Sequence, residues 1–304
     1  MKIVLYGRTV IRRISSLASS LGPLPVKNGK EVAMKKLNPF NQSPFSIKVA
    51  ILVGLLALLA TSAIAAEQAP TTLLDRILAR GYILVGTCGD YKPFTYFNPN
   101  ENKFEGIDID MAYELGEALG VDVRFFKTSW PTLMKDFHAG KFDIGMGGIS
   151  VNLGRQKTAF FSISYLKDGK TPITLKENVD NFQTLEQIDQ PGVKIIVNPG
   201  GTNERFVRAN IKKAEIIVYG DNVTIFDQIV EGKGDLMITD AIETVLQQKL
   251  RPQLAAVHPD KPFTYSEKGY LMPRDIVFKA FVDQWLHLAL MNGTFQKIYD
   301  KWLR

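Results

Sequence analysis

Asp240-Ala241-Ile242-Glu243 places two carboxylates three residues apart where the apolar pattern predicts the start of a helix. Thr239 or Asp240 together with Glu243 reads as an N-cap and capping box, which would satisfy the unpaired N–H groups of that helix. The same residues could instead serve chemistry, with Asp240 pairing a ligand cation and Glu243 facing a cleft as an acid. Ser150 followed by Arg155 puts a hydroxyl and a guanidinium around a strand-to-helix turn. An Arg fork suits a bidentate carboxylate clamp, although a lone Arg there equally reads as a surface helix charge. Asn198-Pro199-Gly200-Gly201-Thr202-Asn203 is a glycine turn leading from a strand into a helix. Its free N–H groups and the positive end of the helix dipole suit a carboxylate; a plain loop with a Thr or Asn cap explains it as well. Tyr91, Phe94 and Trp130, near turns with prolines, offer either an aromatic platform for a ring or ordinary core.

Other catalytic signatures fail. Gly148-Ile149-Ser150-Val151-Asn152 lacks the second glycine of a nucleophile elbow. Asp168-Gly169-Lys170-Thr171 ends like a phosphate loop, but Ser164 stands where its first glycine belongs. Gly145-Met146-Gly147-Gly148 has no third glycine at dinucleotide spacing. His138, His258 and His287 lie far apart with no acidic cluster, so no metal site is expected. Cys88 is the only cysteine, which rules out an internal disulfide, and its neighbours supply no activating base.

The elements that must position these residues alternate. Strands are predicted at Ile83–Thr87, Val121–Phe126, Asp143–Gly147, Lys194–Asn198, Glu215–Tyr219 and Asp235–Thr239. Helices are predicted at Ile109–Leu119, Pro131–Ala139, Asn203–Asn210, Val223–Glu231, Ala241–Leu250 and Ile276–Met291. In the last, Ile276, Phe278, Phe281, Val282, Trp285, Leu288 and Leu290 form one broad packing face. This is an α/β pattern with largely parallel sheets. Charge and Pro/Gly punctuation at Lys167–Lys170 and His258–Pro262 mark two crossings between lobes. One lobe would comprise 72–167 and 265–304, the other 168–264, with a ligand cleft between them.

The chain has 304 residues, 45% hydrophobic and 22% charged, as expected of a folded protein of one large or two moderate domains. Its formal charge of +6 is unevenly placed. Residues 1–65 hold nine Lys/Arg and one acid, which leaves 28 bases against 30 acids in the rest. A charge-driven nucleic-acid binder needs its basic patch in the folded part, so that class is excluded. Val49–Ala60 is an uncharged apolar run after Lys48, followed by Ala63-x-Ala65, the layout of a signal peptide cleaved after Ala65. Met34 is a plausible true start, with 1–33 an extension. A membrane anchor is the rival reading, since the run from Val49 to Ala66 comes close to the ~20 apolar residues a span needs. The mature chain would be exported to the periplasm and leave the membrane.

Gly89-Asp90-Tyr91-Lys92-Pro93-Phe94, Gly106-x-Asp-x-Asp-Met111-Ala112, Phe142-Asp143-Ile144, Ser150…Arg155 and Gly200-Gly201-Thr202 together resemble the periplasmic amino-acid-binding proteins, solute-binding family 3. The resemblance covers essentially all of 72–304 and implies a two-lobe, type II periplasmic-binding-protein-like fold. Thr128–Pro131, Asp168–Leu175, Phe182–Gly192, Asn198–Glu204 and Thr239–Glu243 are similar to one branch, the cyclohexadienyl dehydratases. That branch implies conversion of prephenate to phenylpyruvate and of arogenate to phenylalanine, with loss of water and CO2 and without metal or cofactor. By this resemblance Glu243 is the general acid. Arg155 and Ser150 hold the side-chain carboxylate, and Trp130 packs the ring. Asn198, Thr202, Asn203 and Lys170 take the remaining polar groups, Asp90 belongs to the substrate-binding set, and Asp240 meets an ammonium. A serine is expected in this branch where Gly147 stands. A carboxylate in the first turn of a helix favours its charged form, so Glu243 needs a dried site to raise its pKa toward ~6–7. The alternative is a non-catalytic amino-acid-binding protein of a membrane transporter, which needs Asp240 and Arg155 but no acid. Nothing in the sequence fixes the oligomeric state, and a homo-oligomer is compatible with it.

Overall fold

In the computed structural model, which describes residues 71–303, the apolar run Tyr82–Thr87 becomes an inner strand of a five-stranded sheet. Asp122–Lys127 pairs parallel to it on one side and Ile144–Gly145 parallel on the other. Leu271–Met272 pairs antiparallel with Ile144–Gly145, and Phe160–Phe161, antiparallel to Leu271–Met272, completes the sheet in the direction of the first three strands. A second sheet repeats the plan. Glu215–Val218, Lys194–Val197 and Leu236–Asp240 run parallel, Lys170–Leu175 pairs antiparallel with the last of them, and Leu254–Ala256 pairs antiparallel with Lys170–Leu175. Both sheets are therefore mixed, where the sequence pattern predicts largely parallel ones. Parallel pairing needs a crossover connection. Lys170–Leu175 and Leu271–Met272 enter their sheets directly behind a linking strand, without an intervening helix, and pair antiparallel.

The linking strands are Leu166–Asp168 and Ser266–Lys268, paired antiparallel as a two-stranded ribbon. The second lies a little beyond the His258–Pro262 punctuation. The leader, its Ala63-x-Ala65 site and Met34 lie outside the described residues.

Burial explains the strand sequences. In the second sheet Ile195, Val197, Leu236 and Ile238 pack on one face, against Val207 and Ile211. Ile196, Met237 and Ile173 pack on the other, against Ile225, Phe226 and Ile229. A strand covered on both faces reads as a continuous apolar run, as Lys194–Val197 does after its first residue. The first sheet is covered by Ile107–Leu119 and Ile276–Met291, which contribute Met111, Leu115, Phe278, Val282 and Leu286 to a core with Ile83 and Val85. The face expected for Ile276–Met291 is corrected here. Its fully buried residues are Phe278, Val282 and Leu286, one turn apart, while Ile276 and Leu288 are exposed.

Candidate active site

The turn after Ile144–Gly145 is fixed from behind. Asp108, fully buried in the first turn of Ile107–Leu119, accepts the N–H groups of Gly147 and Gly148 at 2.8 and 2.6 Å. It also accepts the Tyr165 hydroxyl at 2.7 Å. Burial raises its carboxyl to a pKa of about 6, against the pull of these donors. Gly147 has φ 145°, and a Cβ there would come within 2.9 Å of Thr87 Oγ1 and Thr95 Cγ2. The serine expected at this position therefore has no room in this turn. Beyond it, Asn152 caps the short helix Leu153–Gln156 by accepting the Arg155 N–H at 2.9 Å. Arg155 is buried and donates Nη1 to the Ser150 carbonyl at 2.9 Å, while its Nε is buried without a partner among the described residues. The reading of Arg155 as a surface helix charge is thereby overturned. Burial and the Arg205 charge lower its pKa to about 10, so it stays cationic at neutral pH.

The strand Leu236–Asp240 carries Thr239 and Asp240 at its C-terminal end, and Ala241–Leu250 begins at once. No capping box forms: the Asp240 side chain bonds none of the helix N–H groups. Its Oδ1 accepts Lys170 Nζ at 2.6 Å, and its Oδ2 accepts Lys268 Nζ at 2.5 Å and the Tyr91 hydroxyl at 2.6 Å. Charge-assisted bonds to buried ammoniums are stronger than bonds to backbone amides, and the helix start is capped from elsewhere. Ala241 N–H donates to the Gly169 carbonyl at 2.8 Å and Ile242 N–H to Asp168 Oδ1 at 3.4 Å. Burial works to raise the Asp240 pKa, but Lys170 and Lys268 overcome it and hold the carboxylate well below its ordinary range.

Glu243 is 1% exposed, and its Oε2 accepts the Thr239 hydroxyl at 2.5 Å. Burial pushes its pKa up to about 8, with the Asp240 charge adding and Thr239, Lys170 and Lys268 opposing. The dipole of the helix start is outweighed, and the carboxyl holds its proton at neutral pH. Contrary to the expectation that it faces the cleft, Glu243 sits behind Thr239, outside the pocket lining.

The pocket has about 320 Å³ of empty space and is lined by Tyr91, Trp130, Gly148, Ser150, Arg155, Asn198, Gly201, Thr202, Asn203, Asn222 and Asp240. Seven of the ten residues expected from the sequence line it, and Lys170, Glu243 and Asp90 stand behind. Lys170, buried, donates to Thr202 Oγ1 at 2.9 Å and to Asn203 Oδ1. Asn203 Nδ2 in turn donates to Asn198 Oδ1 and Thr239 Oγ1, both at 3.0 Å. Asp90 accepts the Trp130 indole N–H at 3.0 Å and so orients the ring, which meets Tyr91 edge-on at 5.7 Å. Burial raises the Asp90 pKa to about 6. The helix Thr202–Asn210 starts without a side-chain cap, consistent with the anion-binding reading of the glycine turn.

Three residues at the site escape the sequence reading. Lys268, 0% exposed, has no motif around it, because a lone Lys in a three-residue strand reads as solvated. Asn222 follows a Gly-Asp turn that reads as a loop; its Nδ2 donates to the Asp90 carbonyl at 3.0 Å, and its Oδ1 is buried without a partner among the described residues. Thr239 reads only as a cap, yet it joins Asn203 to Glu243.

Residues 83–304 match the bacterial extracellular solute-binding proteins, family 3. The chain is 58% identical over 252 residues to the cyclohexadienyl dehydratase of Pseudomonas aeruginosa, covering 83% of this chain and 94% of that relative. It is 25% identical over 255 residues to the L-cystine-binding protein TcyJ of Escherichia coli, with 83% and 94% covered. Among solved structures it is similar to the ancestral amino acid-binding protein AncCDT-1, a precursor of cyclohexadienyl dehydratase. There the TM-score is 0.70 at 34% identity, over 76% of this chain and 99% of that one. The chain belongs to the bacterial extracellular solute-binding proteins of family 3.

Proposed function

We propose that this chain is a cyclohexadienyl dehydratase, a carbon–oxygen lyase that converts prephenate to phenylpyruvate and arogenate to L-phenylalanine. The observation that carries the reading is a fully buried carboxyl, Glu243, that keeps a proton at neutral pH beside a pocket lined by the buried Arg155 and by Ser, Thr and Asn side chains. The extensive identity to the Pseudomonas aeruginosa enzyme supports it.

In the reaction the bond from the ring to its carboxylate breaks and CO2 leaves. The electron pair flows into the ring, which becomes aromatic as the bond to the ring hydroxyl breaks. The proton of Glu243 joins the departing hydroxide, giving water, and solvent then reprotonates Glu243. Arg155 has a buried Nε to spare for the side-chain carboxylate, beside the Ser150 hydroxyl. Trp130, oriented by Asp90, packs the ring. Asn198, Thr202 and Asn203, the last two held by Lys170, contact the remaining polar groups. Glu243 turns from Thr239 toward the substrate hydroxyl to deliver its proton.

The same reading places the mature chain in the periplasm after cleavage behind Ala65. The test is direct: exported protein is mixed with prephenate, and phenylpyruvate is followed by absorbance. Product formation at catalytic protein concentration is expected. Binding of free amino acids with no product from prephenate would replace this reading with that of a transport-binding protein.

A further inference from the structure

Asp240 occupies the position where the sequence places a grip for a ligand ammonium, yet its oxygens are already engaged. Lys170 holds Oδ1, and Lys268 and Tyr91 hold Oδ2. An ammonium carries three N–H donors, and here all of them are accounted for. Lys170 Nζ bonds Asp240, Thr202 and Asn203. Lys268 Nζ bonds Asp240 at 2.5 Å, Ser150 Oγ at 3.1 Å and Tyr91 OH at 3.3 Å. Neither lysine bonds Glu243, although both act on its charge.

We propose that Asp240 is the internal counter-ion of Lys170 and Lys268, and that by holding both lysines it leaves Glu243 free to carry the proton used in the reaction. Lys268, from the linking strand Ser266–Lys268, is thereby a positioning residue for the acid. The inference rests on the dehydratase reading of the site. The charged and titratable groups acting on Glu243 come from four elements. They are Lys170 on its strand, Asp240 beside it in the second sheet, Lys268 on the linking strand, and Tyr91 from the Asp90–Tyr91 strand. Asp168 adds a second acid 3.7 Å from Lys268. Without the Asp240 charge, two buried ammoniums would lack their shared anion; Asp168 lies within reach of Lys268 alone, so the field of Lys170 and Lys268 would favour an ionised Glu243. Lys170, Lys268 and Tyr91 take three of the roughly four acceptor sites of the Asp240 carboxylate, which leaves a ligand ammonium at most one, on Oδ1.

The test is the pH profile of kcat on prephenate for the exported wild-type protein and the variants Asp240→Asn, Lys268→Met and Lys268→Arg. A protonated acid makes kcat fall as pH rises through its ionisation. Asp240→Asn should move that falling limb to lower pH by about one unit or more, a tenfold or greater shift in proton affinity. Lys268→Met should move it to higher pH, and Lys268→Arg should restore the wild-type limb. A purely structural role would not move the limb in opposite directions. KM for prephenate and arogenate should change in parallel in Asp240→Asn. A tenfold selective rise in KM for arogenate with the limb unmoved would overturn the inference and make Asp240 the ammonium grip. Limbs that move together or stay put in an active enzyme would overturn it as well. If Asp240→Asn does not fold, the Lys268 pair decides alone. Absence of product from the wild type would instead overturn the dehydratase reading, and this inference with it.

Discussion

Glu243 carries opposite demands, and its chemistry and its stability effect are read by one substitution. Glu243→Gln keeps shape and one hydrogen bond to Thr239 but has no proton to give. Loss of a positioned general acid slows turnover by ~10²–10⁴-fold, and that range is expected for kcat on prephenate. Stability should move the other way. The folded-state pKa of about 8 lies above the ordinary carboxyl value, so the native state binds a proton that the unfolded chain has already lost. Stability from this group is greatest below the unfolded pKa of ~4.3 and falls as pH rises toward 8. Gln has no such dependence, so melting curves from pH 5 to 8 should show Glu243→Gln gaining on the wild type as pH rises. A melting point that drops in the variant at every pH, with kcat within a few-fold, would restore the helix-cap reading of Glu243. Arg155→Ala removes one partner of a buried charge-assisted pair. Such losses weaken binding by ~2–5 kcal/mol, roughly 30- to 4000-fold, so KM for prephenate should rise steeply. An unchanged KM and kcat would show that the carboxylate is held elsewhere.

Among the elements, the glycine turn before Thr202–Asn210 ties the second sheet to the far wall of the pocket. Gly200 has φ 79°, donates its N–H to Glu204 at 2.6 Å, and leaves only 2.6 Å between a built Cβ and Pro131 Cα. Gly200→Ala should lower stability by the ~1–2 kcal/mol of a left-handed L-residue. It should also raise KM, because the added methyl pushes on Pro131, next to Trp130. KM and melting point measured together test this: a fall in melting point with KM unchanged would mean that the contact with Pro131 plays no part in binding. Helices with strong apolar periodicity were legible in the sequence, and Ala241–Leu250 and Ile276–Met291 keep their expected bounds. Lys170–Leu175 was not, because Pro172 in its middle lacks the donor a strand uses, yet it pairs with Ile238 inside the second sheet. The two-residue strand Leu271–Met272 is too short to show a period at all, while Ile144–Gly145 falls within the expected Asp143–Gly147 but is shorter than it. Much of the site was legible by residue type, as Arg155, Asp240 and the glycine turn all come to one pocket. What side-chain types at fixed spacing could not show was partner choice. Asp240 bonds lysines instead of amides, and one of them, Lys268, lies 28 residues away in sequence.

At the scale of the whole molecule, the polar groups that meet at the pocket come from both sheets and from the ribbon that links them. Tyr91 with Asp240, Lys268 with Ser150 and Asp240, and Asn222 with the Asp90 carbonyl span it without help from a ligand. The charge of residues 66–304 is nearly balanced, and the sequence puts its excess of bases in residues 1–65. The leader carries nine Lys/Arg and one acid, so its removal takes the formal charge from +6 to −2. On the proposed cleavage, processing would change the sign of the protein as well as its length. Periplasmic material should show residue 66 as its N-terminus by intact mass. It should also focus on the acid side of neutrality, where the full chain, with a sequence pI of about 9.2, would focus far to the basic side. Both readouts follow from one cleavage, and they separate the rival readings of the apolar run at Val49–Ala60. A membrane-bound, basic, full-length species in place of the acidic mature chain would make that run an anchor and overturn the export proposal.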